Sequence, residues 1–91
     1  MEYQEVFISY DSELGGNLFT LKCDFGRVEY IKKYKNVSPL YIFVDPKYRR
    51  KGIATKMIDY LNKKYVLEWN GRFTDIGRLF FKNYINNQRK L

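Results

Sequence analysis

Apolar and polar residues alternate over the first third of the chain. Val6, Ile8 and Tyr10 fall on one face of a segment from Glu5 to Tyr10, and Phe7 and Ser9 on the other. A period of two is that of a β-strand. Asp11 to Asn17 holds Gly15 and Gly16 beside Asn17, residues that supply the positive φ of a turn. The alternation resumes from Leu18 to Phe25, with Phe19, Leu21, Cys23 and Phe25 on one side. A tight turn at Asp24–Arg27 leads to a third strand, from Val28 to Ile31 and reaching Tyr34. Together these segments predict an antiparallel meander.

Lys32-Lys33-Tyr34-Lys35 reads as the solvated end of that strand, and Asn36-Val37-Ser38-Pro39 as a loop. Leu40 to Val44 is apolar on both faces, which predicts a central fourth strand. From Ile53 the period lengthens. Ile53, Met57 and Leu61 align at helical spacing, with Ala54 and Ile58 beside them, and the helix should end near Lys63-Lys64. Tyr65 to Trp69 predicts a fifth strand, parallel to the fourth through a crossover. Asn70-Gly71 is a turn. Thr74 then caps a last helix, with Ile76, Leu79, Phe80 and Tyr84 on its apolar side, running to about Asn87. The fold class is α/β: a three-strand antiparallel meander followed by a β-α-β-α unit, in one domain over residues 1–91.

The junction of the fourth strand and the first helix is the most informative stretch. Val44-Asp45-Pro46-Lys47-Tyr48 leads into Arg49-Arg50-Lys51-Gly52-Ile53-Ala54-Thr55. A helix N-terminus offers unpaired N–H groups and the positive end of a dipole. Gly52 lets an anion approach the backbone, and three cations surround it. Phosphate or pyrophosphate is the implied ligand. The loop has neither the Gly-Lys-Ser/Thr order of a Walker A loop nor the Gly-x-Gly-x-x-Gly of a dinucleotide fingerprint.

The run from Leu40 to Leu61 resembles the cofactor-binding signature of the GNAT N-acetyltransferase superfamily, Arg/Gln-x-x-Gly-x-Gly/Ala. The match is Arg49-Arg50-Lys51-Gly52-Ile53-Ala54. The resemblance implies a GNAT-like core and acetyl-CoA as cofactor. Its pyrophosphate would lie on the amides from Arg49 to Thr55, and its pantetheine along Phe43 and Val44. It extends to Thr74, Gly77 and Phe80-Phe81 in the second half. Thr74 stands where the family often bonds the pantetheine arm. Phe81 stands where the family frequently has the tyrosine that protonates the departing thiolate. Phe81 has no proton to give, so Tyr84, one turn beyond, is the candidate acid. The family's first strand and its two helices before the meander have no counterpart here, so the resemblance covers the cofactor-binding core and says less about the acceptor.

Composition narrows the choices. The chain is 45% hydrophobic and 19% aromatic, which fits a folded domain with a Phe- and Tyr-rich core. No apolar run reaches the ~20 residues of a membrane span, and no secretion signal opens the sequence. A single cysteine, Cys23, suits a reducing, cytoplasmic setting. There is no histidine, which removes the commonest general base and argues against a structural zinc site. The formal net charge of +7 implies an anionic partner. CoA is one such partner. Weak polyanion binding is another, since Lys32 to Lys35 interleaves charge with an aromatic ring.

Acetyl transfer to an amine needs a held thioester, a polarised carbonyl, a neutral amine and a proton for the leaving sulfur. The N–H of Phe43 or Val44 could polarise the carbonyl. Glu29 and Glu68 are the strand carboxylates near the expected cleft, each readable as a surface charge. The expected activity is acetyl-CoA-dependent N-acetyl transfer to a protein amine or another large acceptor, with a homodimer as one way to complete the acceptor pocket. The alternative is a non-catalytic module of the same fold that docks a protein or a nucleic acid.

Overall fold

The computed structural model describes residues 2–68, 82 and 84. Four antiparallel strands run in chain order: β1 (Gln4–Asp11), β2 (Gly16–Cys23), β3 (Gly26–Lys33) and β4 (Asn36–Val44). A single 3₁₀ turn, Pro46–Tyr48, leads to helix α1 (Ile53–Lys64). Strand β5 (Val66–Leu67) then pairs parallel to β4. The sheet order is β1-β2-β3-β4-β5, so each strand lies beside its neighbour in sequence.

The five-strand sheet and first helix of the expected GNAT-like core are therefore present, while the last helix expected from Thr74 lies outside the described residues. The fifth strand, expected over Tyr65–Trp69, is described as Val66–Leu67, with Tyr65 closing the helix and Trp69 outside the described residues. Asn36–Pro39, expected as a loop, is the first half of β4. The segment Lys32–Lys35 is correspondingly a β3–β4 hairpin rather than a frayed end, with Tyr34 at φ 56° in its turn. Pro39 fits because of the direction its backbone faces. Lys35 and Val37 present their carbonyls to the β5 side, accepting from Val66 and Glu68 N–H at 2.8 Å each. Two residues further on, Pro39 faces the same way, so β3 asks no N–H of it. Opposite Tyr30 the register then slips, and Leu40 is an extra residue without a partner on β3.

The core lies between one face of the sheet and α1. Leu21, Val28, Tyr30 and Val37 come from the strands, and Ile53, Met57, Ile58 and Leu61 from the helix. The spacing predicts these four helical positions together with Ala54, which is only half-buried. Tyr84 packs against the same cluster. Each fully buried aliphatic side chain contributes about 1.5–3 kcal/mol. The helix packs on β3, β4 and β5. That placement fixes its first turn beside the end of β4.

Candidate functional site

The exit from β4 is tied down at each step. Asp45 N–H donates to the Phe25 carbonyl in the β2–β3 turn at 2.9 Å. The Asp45 carboxylate accepts from Lys47 N–H at 3.0 Å, and its carbonyl accepts from Tyr48 N–H at 2.8 Å. The Tyr48 ring meets Phe25 edge-on at 4.5 Å. Arg49 donates through Nε to the Val44 carbonyl at 3.0 Å, which folds the start of the loop back on the strand. Arg50 and Gly52 then take positive φ, 63° and 76°, and the chain turns into the helix.

What this turn leaves open matters more than what it closes. The first helical bond runs from Lys56 N–H to the Gly52 carbonyl at 3.0 Å. The N–H groups of Ile53, Ala54 and Thr55 therefore precede the helical ladder. Among the described residues no side chain caps them: the N-cap is Gly52, and the first turn holds no acidic residue. A Cβ built on Gly52 would meet nothing within 4 Å, so the space beside this residue is open. Arg49, Arg50 and Lys51 are exposed around it, and Lys51 Nζ lies 5.8 Å from the Tyr48 ring centre. Ile53 is buried in the core and anchors the turn through its side chain. The amides, the dipole and the three cations suit a phosphate or pyrophosphate.

The two β4 residues expected along the pantetheine differ in orientation. Phe43 pairs with Arg27, and Tyr41 with Glu29. After the slip at Leu40, these β4 residues turn their N–H and C=O groups toward β3. Ile42 and Val44 turn theirs toward the other edge, and the Arg49 bond to the Val44 carbonyl lies on that side. Val44 thus directs its N–H toward the edge away from β3. Phe43 presents its ring to the sheet face away from α1, 5.0 Å from the Arg27 guanidinium.

The structure does not bring Tyr84 to this loop. Its hydroxyl donates to Asp59 Oδ1 at 2.7 Å and accepts from Asn62 Nδ2 at 3.5 Å. Burial and the Asp59 carboxylate push its pKa up to about 12, against a small opposing effect of Asn62. Asp59 lies six residues into α1, roughly 9 Å along the axis from its first residue. Glu29 pairs with Arg27 Nε at 3.7 Å, and Glu68 accepts from Asn36 Nδ2 at 2.6 Å. Both are structural contacts. Cys23 Sγ lies 3.8 Å from Met57 Sδ, against the core. Thr74, Gly77, Phe80 and Phe81 lie outside the described residues.

A second polar cluster had no signal in the local sequence. The Glu5 carboxylate accepts from Tyr30 Oη at 2.9 Å, Tyr65 Oη at 2.5 Å and Tyr60 Oη at 3.3 Å, and pairs with Lys64 Nζ. Burial pushes Glu5 upward, but bonds from Lys64, Tyr65 and Tyr30 outweigh it and hold the pKa at about 2. The bond to Glu5 raises Lys64, and burial followed by the bond to Glu5 raises Tyr30 and Tyr65. Each partner lies at least 25 residues from Glu5 in sequence, so no spacing rule could have revealed the cluster. It joins β1, β3 and the end of α1 and is a clamp of the fold.

No group of His, Cys, Asp and Glu among the described residues could hold a metal ion. No described helix is long and apolar enough to cross a membrane. No curated protein and no solved structure matches the chain. Residues 5–89 match the family described as Acetyltransferase (GNAT) domain. With the strand–loop–helix geometry in place and nearly the whole chain matched, the protein belongs to the GNAT acetyltransferase family.

Proposed function

We propose that the protein is an acetyl-CoA-dependent N-acetyltransferase acting on an amine of a protein or another large acceptor. The observation that carries this reading is the start of α1, where Gly52 gives no side-chain cap, open space lies at Gly52, and amides ahead of the helical ladder sit among three exposed cations. When bound, acetyl-CoA supplies an acyl group activated as a thioester. The amides of Ile53, Ala54 and Thr55 hold the pyrophosphate, and Arg49, Arg50 and Lys51 neutralise its charge. Val44, at the strand edge nearest the loop, orients the pantetheine and offers the N–H that polarises the thioester carbonyl. Thr74 is the second candidate for holding that arm.

Proton transfer follows from what the side chains already do. The Tyr84 proton is engaged by Asp59, and Phe81 has none. We therefore assign protonation of the leaving thiolate to water or substrate, since a thiolate departs without a strong acid. The test measures thiol release from acetyl-CoA with a lysine-rich protein acceptor. Turnover above background that survives Tyr84→Phe supports the assignment. Saturable acetyl-CoA binding with no turnover would instead support a non-catalytic module of the same fold.

A further inference from the structure

Helix α1 packs on β3, β4 and β5, and the β1–β2 part of the same sheet face carries exposed rings. Register places Phe7 opposite Phe19, and Tyr10 opposite Asn17. Asn17 in turn lies opposite Lys32 on β3. Phe7 is 56% exposed and Tyr10 64% exposed. Exposed rings on an edge strand are unfavourable unless something covers them. Phe19 is fixed from both sides, edge-on to Phe7 at 5.6 Å and stacked on Tyr30 at 5.6 Å with 10° between the planes.

Cations border these rings. Lys32 Nζ stands 5.5 Å from the Phe19 ring centre and 4.7 Å from that of Tyr65. It donates to Tyr65 Oη at 3.4 Å, and among the described residues no carboxylate pairs with it. Lys64 Nζ lies 5.5 Å from the Tyr65 ring centre, its charge shared with Glu5. Beyond Lys32, the hairpin presents Tyr34, 97% exposed, between Lys33 and Lys35.

We propose that this surface binds single-stranded nucleic acid, with bases stacked on Phe7 and Tyr10 and phosphates drawn to Lys32. Three features favour this occupant. The rings offer faces and edges to bases, which stack without sequence preference. An ammonium lies within 6 Å of a ring centre beside them, a distance that suits the phosphate of a stacked nucleotide. The net charge of +7 steers a polyanion toward the surface. A purely apolar partner would have to desolvate Lys32 without a counter-charge, and a purely acidic one would leave the two rings in water.

The test is fluorescence anisotropy of the full chain with a labelled 12-mer of deoxythymidine, the corresponding duplex, and polyglutamate of equal charge, across a salt series. Single strand should bind more tightly than either competitor. The double variant Phe7→Ala/Tyr10→Ala should weaken single-strand binding at least ~10-fold, in line with the stacking contribution of one or more rings. Its circular dichroism should match wild type, because both rings are exposed. Lys32→Gln should lower the salt slope by about 0.7. Equal affinity for single strand, duplex and polyglutamate, unchanged in the double variant, would overturn the proposal and leave only bulk charge. Tighter binding of polyglutamate would overturn it in favour of an acidic protein partner.

Discussion

The two ends of helix α1 are built in opposite ways. Its first turn has no side-chain cap, no acidic residue and open space beside Gly52. Its last turn is closed by Tyr65 N–H on the Leu61 carbonyl at 2.8 Å, by Lys63 and Lys64 in the favourable dipole position, and by the Glu5 cluster. Capping a helix start typically contributes about 1 kcal/mol, and this start forgoes it. The cations around it repel one another, whereas at the other end a cation and a carboxylate meet. A helix start without a side-chain cap leaves its first amides available to a ligand. Polar groups fully satisfied by one another mark scaffold. On that criterion we propose the loop at Gly52 as the site and assign Glu5 to the scaffold, although Glu5 has the most perturbed carboxylate described.

The largest effect that would sharpen this contrast is at Glu5. Glu5→Ala leaves three tyrosine hydroxyls and Lys64 without their acceptor and should cost about 3 kcal/mol or more of stability in urea denaturation. Glu5→Gln should cost less and still fold. Acetyl-CoA affinity of folded Glu5→Gln should equal that of wild type. A loss of affinity with intact stability would break the assignment of Glu5 to scaffold.

The same cluster predicts an acid dependence of stability. The folded-state pKa of Glu5 is lowered from 4.5 to about 2, so its contribution is fully present above pH 4.5. It is lost as pH falls toward 2, because the unfolded chain binds the proton first. The shift corresponds to at most about 3 kcal/mol, and to less once solvent screening at the half-exposed Lys64 is counted. Denaturation midpoints between pH 2 and 6 should fall steeply for wild type and more gently for Glu5→Gln.

Tyr84→Phe should lower stability by about 1–2 kcal/mol, through loss of a hydrogen bond to the Asp59 carboxylate. Turnover per folded molecule should be nearly unchanged. A roughly 10²-fold fall in turnover at constant affinity would make Tyr84 the acid after all. The smallest effect is expected at Arg49. Its side chain is exposed and shares its bonding capacity with the Val44 carbonyl. Arg49→Ala should therefore weaken acetyl-CoA by about 1 kcal/mol, read by isothermal titration, with little change in the melting temperature.

The meander, the helix and the loop were legible because each is written in local spacing: alternation in the strands, the four-residue repeat of Ile53, Met57 and Leu61, and the basic run around Gly52. Asn36–Pro39 misled because Asn and Pro are local breakers, whereas here the sheet edge decides. Pro39 faces away from β3, and the Asn36 side chain is held by Glu68. Within the site, the loop residues could be read directly, but the difference between Phe43 and Val44 could not. It depends on the extra residue at Leu40, which changes which edge each backbone group faces. Spacing placed Tyr84 one turn beyond Phe81, but it does not show that Asp59 and Asn62 engage the Tyr84 hydroxyl. Glu5 was illegible for a simpler reason. A lone acid opening a strand gains its meaning only from residues brought to it by the fold.

The central claim is that the start of α1 seats the pyrophosphate of acetyl-CoA, and Gly52→Glu tests it most directly. A side chain at this position meets no atom within 4 Å, so the free variant should fold with only the ~1–2 kcal/mol strain of a non-glycine residue at positive φ. With ligand, the carboxylate would occupy the phosphate space and repel it. Isothermal titration of acetyl-CoA should give a saturable isotherm for wild type and no measurable binding for Gly52→Glu, with circular dichroism confirming the fold of both. Superimposable isotherms for the two proteins would show that the phosphate binds elsewhere and would contradict the account.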